Sequence, residues 1–182
     1  MFSAINRLQS LVGLSLICLP LTVQLNAQKD RREPFTAAQQ QQIAEASIDP
    51  DVRLGLFTKF ANEHSQTIAG VSKRTEKGRG QRLDNELQDF TAIVDELASN
   101  LDEYSGRKAD IRKAVKELNE SVAHWQEILK SVPKDPIAEL ALRDATEAVG
   151  DLVVDAKSVA AEQDAYFKEH KDAKGQEREE PK

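Results

Sequence analysis

Two groups of cations are the residues whose type and spacing suit a defined chemistry here, the holding of an anionic partner. Lys73, Arg74, Lys77, Arg79 and Arg82 lie close together, and Lys130 and Lys134 follow further along the chain. In an up-down helical arrangement both groups fall at one end, where their charge converges on a single surface. Cations near helix C-termini are also favoured by the helix macrodipole, so Lys73 to Lys77 and Lys130 have a purely structural explanation. Arg79 and Arg82 fall outside it, because they read as part of the turn between two helices.

Other chemistry is thinly represented. Glu120, His124 and Glu127 put three potential ligands along one helical face, but a di-iron bundle draws Glu-x-x-His motifs from two helices. His64 reads as a packed, hydrogen-bonded histidine, and His170 as a solvated one. The chain has a single cysteine, Cys18, no Gly-x-Ser-x-Gly elbow, and in Gly78-Arg79-Gly80 too short a run for a phosphate-binding loop. The carboxylates sit on helical faces, where solvated charge is the default. The expectation is therefore a protein that is not an enzyme and carries no cofactor or metal.

The elements that position these residues follow from hydrophobic spacing. Leu83, Leu87, Phe90, Val94, Leu97, Leu101 and Tyr104 step by four and three, and after Gly106 the cadence restarts. Ile111, Val115, Leu118, Val122, Trp125, Leu129 and Val132 carry it on. A mean repeat of 3.5 residues marks helices with an apolar seam, and two such runs with a short turn predict an antiparallel hairpin. Thr36-Ala-Ala-Gln39 predicts a capping box opening a short first helix that ends near Ile48. Asp49-Pro50 opens a second helix, with Leu56, Phe57, Phe60, Ala61, His64, Ile68 and Val71 on one face. Gly55 and Gly70 inside it mark either close helix approach or local weakness. Asp135-Pro136 repeats the opening before a fifth, alanine-rich helix through Ala138, Leu142, Ala145, Val149, Leu152, Ala156, Val159, Gln163 and Tyr166. Its last turns, near Tyr166 and Phe167, are expected to overhang the bundle or meet the first helix.

Charge is segregated by helix. Asp84, Glu86, Asp89, Asp95, Glu96, Asp102 and Glu103 occupy the third helix, with no Lys or Arg between Arg82 and Arg107. The fourth opens with Arg107, Lys108, Arg112, Lys113 and Lys116. In a hairpin these opposed ends lie side by side and favour its register. The alternative is an acidic strip that binds cations or a basic partner.

Residues 1–27 have the layout of a secretory signal peptide: Arg7, an apolar stretch from Leu11, and a small residue at Ala27. Cleavage after Ala27 is expected, with export to a periplasmic or extracellular location and no stable membrane insertion afterwards. Cys18 leaves with the signal, so no disulfide framework supports the rest. Of 25 basic residues only Arg7 is lost, leaving 24 against 31 acids, a net charge of −7. That balance argues against nucleic-acid binding. The expected organisation is a signal peptide (1–27), a polar leader and short helix (28–48), a four-helix bundle (49–170) and a disordered charged tail (171–182). The fold class is all-α, an antiparallel up-down bundle of four long helices with a short N-terminal one.

Two short stretches resemble known families. Asp49-Pro-Asp-Val-Arg53-Leu-Gly-Leu56-Phe-Thr-Lys-Phe60-Ala61 resembles the helix opening of an uncharacterised family of bacterial extracytoplasmic helical domains, which implies no activity. Phe35-Thr36-Ala-Ala-Gln39 resembles the Leu-Thr-x-x-Gln motif of small periplasmic helical chaperones that sense envelope stress, and occurs once. The expected function is a non-enzymatic exported bundle, an interaction or structural module of the envelope with a protein partner. A holdase-like chaperone or stress sensor, and a bundle binding a metal or small ligand, are the alternatives.

Overall fold

A computed structural model describes residues 33–171. The expected signal peptide over 1–27, the start of the expected polar leader and the expected tail beyond Lys171 lie outside the described residues. Within them every regular element is helical: α1 (Ala37–Glu45), a 3-10 turn (Ala46–Ile48), α2 (Pro50–Ser72), α3 (Arg79–Gly106), α4 (Arg112–Ser131) and α5 (Glu139–Glu169). Among the described residues no helix is long and apolar enough to cross a membrane.

The starts of α1 and α2 form as their residues dictate. Thr36 and Gln39 close a reciprocal capping box, with Gln39 N–H donating to Thr36 Oγ1 at 3.3 Å and Thr36 N–H to Gln39 Oε1 at 2.8 Å. Asp49 Oδ1 accepts the N–H groups of Asp51 and Val52, and Pro50 takes the first helical position. Asp135 differs from Asp49. It opens a turn, its Oδ1 accepting from Ile137 N–H at 3.0 Å, and α5 itself starts only at Glu139.

Both apolar seams are buried throughout, from Leu83 to Tyr104 and from Ile111 to Val132. The helices they face are not the expected ones. α2 packs on α3 and α4, and α5 packs on the same two, so α3 and α4 stand across the bundle diagonal. The hairpin expected from their shared cadence is replaced by a diagonal crossover through Arg107–Ile111. Directions still alternate along the chain, so α2 lies parallel to α4 and α3 parallel to α5. The diagonal pair meets only through large core side chains, as in the edge-to-face contact of Phe90 with Trp125 at 5.6 Å. The charge argument failed because exposed ion pairs contribute roughly 0–1 kcal/mol each. Burying one Leu or Phe contributes about 1.5–3 kcal/mol, so seam packing decides the neighbours.

The crossover has its own local cause. Lys108 N–H donates to Ser105 O and Ala109 N–H to Tyr104 O, each at 3.0 Å, the paired bonds of a Schellman stop. Lys108 occupies the left-handed position at φ 58°, where glycine is usual. The chain then enters α4 with no side-chain cap from its N-cap residue Ile111, and only a long contact of 3.4 Å from Arg112 N–H to Asp110 Oδ1.

Two further expectations are corrected. A Cβ at Gly55 or Gly70 would meet nothing within 4 Å, so neither glycine marks close helix approach. The end of α5 does not overhang: Phe167 is buried beneath Arg112, whose guanidinium lies 4.5 Å from the ring centroid. Tyr166 is flanked by Phe167 and by His170, which is exposed as expected and stacks on the Tyr166 ring at 4.3 Å. The first helix is held instead against α2, through Phe35 on Phe57 and Phe60.

Candidate functional site

The basic end is built where α2 and α4 finish and α3 and α5 begin. Lys73 is the C-cap of α2 and Lys130 lies in the last turn of α4, so each complements a helix C-terminus. Arg79 and Arg82 lie on the first turn of α3, not in a loop. A helix N-terminus repels cations, and acids hold both in place. Glu76 Oε1 receives Arg82 at 2.5 Å and Arg74 at 3.5 Å. Asp135 Oδ2 receives Arg79 at 2.7 Å, with the two side chains 25% and 11% exposed.

Asp135 is the hinge of this end. The hydrogen bond from Arg79, joined by the N–H of Ile137, holds its carboxyl below the ordinary value of 3.8. The carboxylate rests on α3 at Gly80, where a Cβ would come within 2.7 Å of Oδ1. Gly78, at φ 82°, turns the chain into α3 just before it. Gly78-Arg79-Gly80 is thus one device: a left-handed entry, a partner for Asp135 and a bare surface to receive it.

The seven predicted cations therefore divide. Arg74, Arg79 and Arg82 are committed to Glu76 and Asp135. Lys73, Lys77, Lys130 and Lys134 have no acidic partner among the described residues. Two shallow grooves adjoin them. One lies between α2 and α4, lined by Lys73, Gln66, Gly70, His124 and Glu127. The other lies beside Lys134, along Leu142, Arg143 and Thr146 of α5.

The histidines take ordinary places. His64 Nδ1 is 3.0 Å from Glu86 Oε2, joining α2 to α3 as a packed, bonded histidine should. His124 is exposed on the groove. Glu120, His124 and Glu127 do not converge: among the described residues no three His, Cys, Asp or Glu side chains are gathered to hold a metal.

Sequence spacing missed the polar side chains that join helices. Asp51 Oδ1 accepts Ala114 N–H at 2.8 Å, and buried Gln163 accepts Ile111 N–H at 3.2 Å, so α2 and α5 together cap α4. Trp125, fully buried, donates its indole N–H to Asn62 Oδ1 at 2.6 Å. Arg53 donates to Asn100 Oδ1 at 3.1 Å and to the carbonyl of Ile43 at 3.3 Å, tying α3 and α1 to α2. A polar residue interrupting an apolar seam, as Gln163 does, is the one sequence signal that pointed to these roles. The large apolar side chains that are exposed stand in separate places: Ile48 and Val52, Ile137 and Leu140, and Val154.

No protein-family model, curated protein or solved structure matches the chain.

Proposed function

We propose that the protein is a non-enzymatic, exported helical-bundle module of the bacterial envelope that works by holding an acidic protein partner at its basic end. One observation carries the reading. Four lysines from two helix ends and two connections lie at one end of the bundle with no acidic partner among the described residues, while the neighbouring arginines are internally paired. A surface of one sign steers an oppositely charged partner and accelerates encounter.

The arginines are the wrong residues with which to test it, since reversing Arg79 breaks a fold contact. The informative variant replaces Lys73, Lys77, Lys130 and Lys134 with Glu and leaves the Arg79–Asp135 pair alone. Pull-down from envelope extracts followed by mass spectrometry should lose its main partner in that variant, with the melting temperature little changed. An unchanged set of captured proteins overturns the basic-end reading. Export is tested separately by fractionation and intact mass. A species beginning at Gln28 in the envelope fraction is expected, and a full-length cytoplasmic species contradicts it.

A further inference from the structure

The short first helix is rooted differently from the rest. Each of α2 to α5 packs against two other long helices, whereas α1 packs on α2 and on the 3-10 turn that follows it. Its contacts run along one stripe, Phe35, Gln39, Ile43 and Ala46, spaced four, four and three apart. Ile43 and Ala46 are buried and Phe35 and Gln39 half-buried, while every other residue of α1 is exposed. A helix of nine residues does not hold itself in water, where isolated helices below about 12–15 residues are marginal, so this stripe keeps it formed.

The polar ties of α1 to α2 are long. Arg53 Nη1 donates to the carbonyl of Ile43 at 3.3 Å, and Gln39 Nε2 to Glu63 Oε2 at 3.4 Å on the exposed surface. Arg53 also donates to Asn100 Oδ1 at 3.1 Å, so it keeps a partner if α1 leaves. A pivot is present as well. Ala46–Ile48 forms the 3-10 turn, Ile48 is 82% exposed, and Asp49 stays fixed as the cap of α2.

What α1 covers is aromatic. The Phe35 ring lies 5.7 Å from that of Phe57 and 6.0 Å from that of Phe60. Beside them, the Arg53 guanidinium is 5.6 Å from the Phe57 centroid and the Lys59 ammonium 5.8 Å from that of Phe60. With α1 in place both rings are buried.

We propose that α1 is a strap that opens about the Ala46–Ile48 turn while α2 to α5 stay folded, uncovering an aromatic face at Phe57 and Phe60 framed by Arg53 and Lys59. A segment that shares so little of the core opens locally, at a lower cost than global unfolding. The closed strap masks an apolar surface that the four-helix bundle closes without it. None of the lysines of the basic end takes part, so this device stands or falls apart from the partner reading.

Native-state hydrogen exchange of the unaltered protein tests the opening. Relative to their intrinsic rates, backbone amides of residues 40–45 should exchange at least roughly 100-fold faster than those of residues 90–97 in α3, by a route insensitive to low urea. Uncovering is read with the apolar dye ANS. Phe35→Ala should raise dye fluorescence several-fold, and Phe35→Leu, which keeps an apolar cover, should restore most of the masking. In Phe35→Ala the amides of residues 90–97 should keep their protection, which separates an opened strap from a loosened bundle. Equal protection of α1 and α3, loss of protection in α3 together with α1, or an opened α1 with no gain in dye fluorescence would overturn the proposal.

Discussion

Asp51, in the first turn of α2, accepts the backbone N–H of Ala114 at 2.8 Å and so caps the start of the neighbouring parallel helix α4. Ordinarily a helix is capped by the residue that precedes it. Ile111 holds that place here and has no side-chain oxygen to offer. Parallel neighbours bring two N-termini together, which lets one acid lie at both.

Replacing Asp51 with Ala should therefore destabilise the bundle by about 1 kcal/mol, through the loss of a cap. Asp51→Asn keeps an acceptor oxygen and should cost less. Urea denaturation compares the two. A null effect of Asp51→Ala would show that solvent replaces the bond.

The glycines separate by what surrounds them. Gly70 lies exposed in the interior of α2 with open space where a Cβ would go, so Gly70→Ala should stabilise by about 0.5–1 kcal/mol. Gly80→Ala places a methyl group against the Asp135 carboxylate, which Arg79 and Ile137 already fix. It should destabilise by about 1–3 kcal/mol, as overpacking does. Thermal melts of the two variants are expected to move in opposite directions.

These cases show how far sequence spacing reaches. The helices, the capping box at Thr36 and the two central seams were legible, because period and capping are local properties of the chain; on α2 the buried residue is Leu54 where Leu56 was expected, and on α5 it is Phe167 where Tyr166 was expected. Which helices are neighbours was not legible. The seams of Leu83–Tyr104 and Ile111–Val132 are equally good surfaces for any apolar face, and exposed charge is too weak to choose between them. The basic end was legible as composition. Its division into paired arginines and open lysines was not, since it depends on Asp135 reaching back to Gly80 from the far side of α4.

The Arg79–Asp135 contact predicts a pH dependence. The folded carboxyl of Asp135 sits below its ordinary 3.8, so its contribution to stability is fully present above that value and is lost as pH falls through the folded value. Asp110 behaves alike: hydrogen bonding to Arg112 is the largest influence lowering its carboxyl, but the pair is exposed and local, so its share is smaller. Urea midpoints measured from pH 6 down to pH 2.5 should fall for the native chain. The fall should be shallower for Asp135→Asn, which starts from a lower midpoint at pH 6. Parallel curves would mean that Asp135 carries no net linkage.

The account rests most heavily on the basic end as the contact surface, and photo-cross-linking in the intact envelope tests that directly. A photoreactive residue is placed in turn at Lys77 and Lys134, and as controls at Asp151 and Asp164 on α5, then products are identified by mass spectrometry. The account predicts one dominant adduct to an acidic protein from Lys77 and Lys134, and none above background from the controls. Equal yields from all four positions, or a dominant adduct from the α5 controls alone, would contradict it.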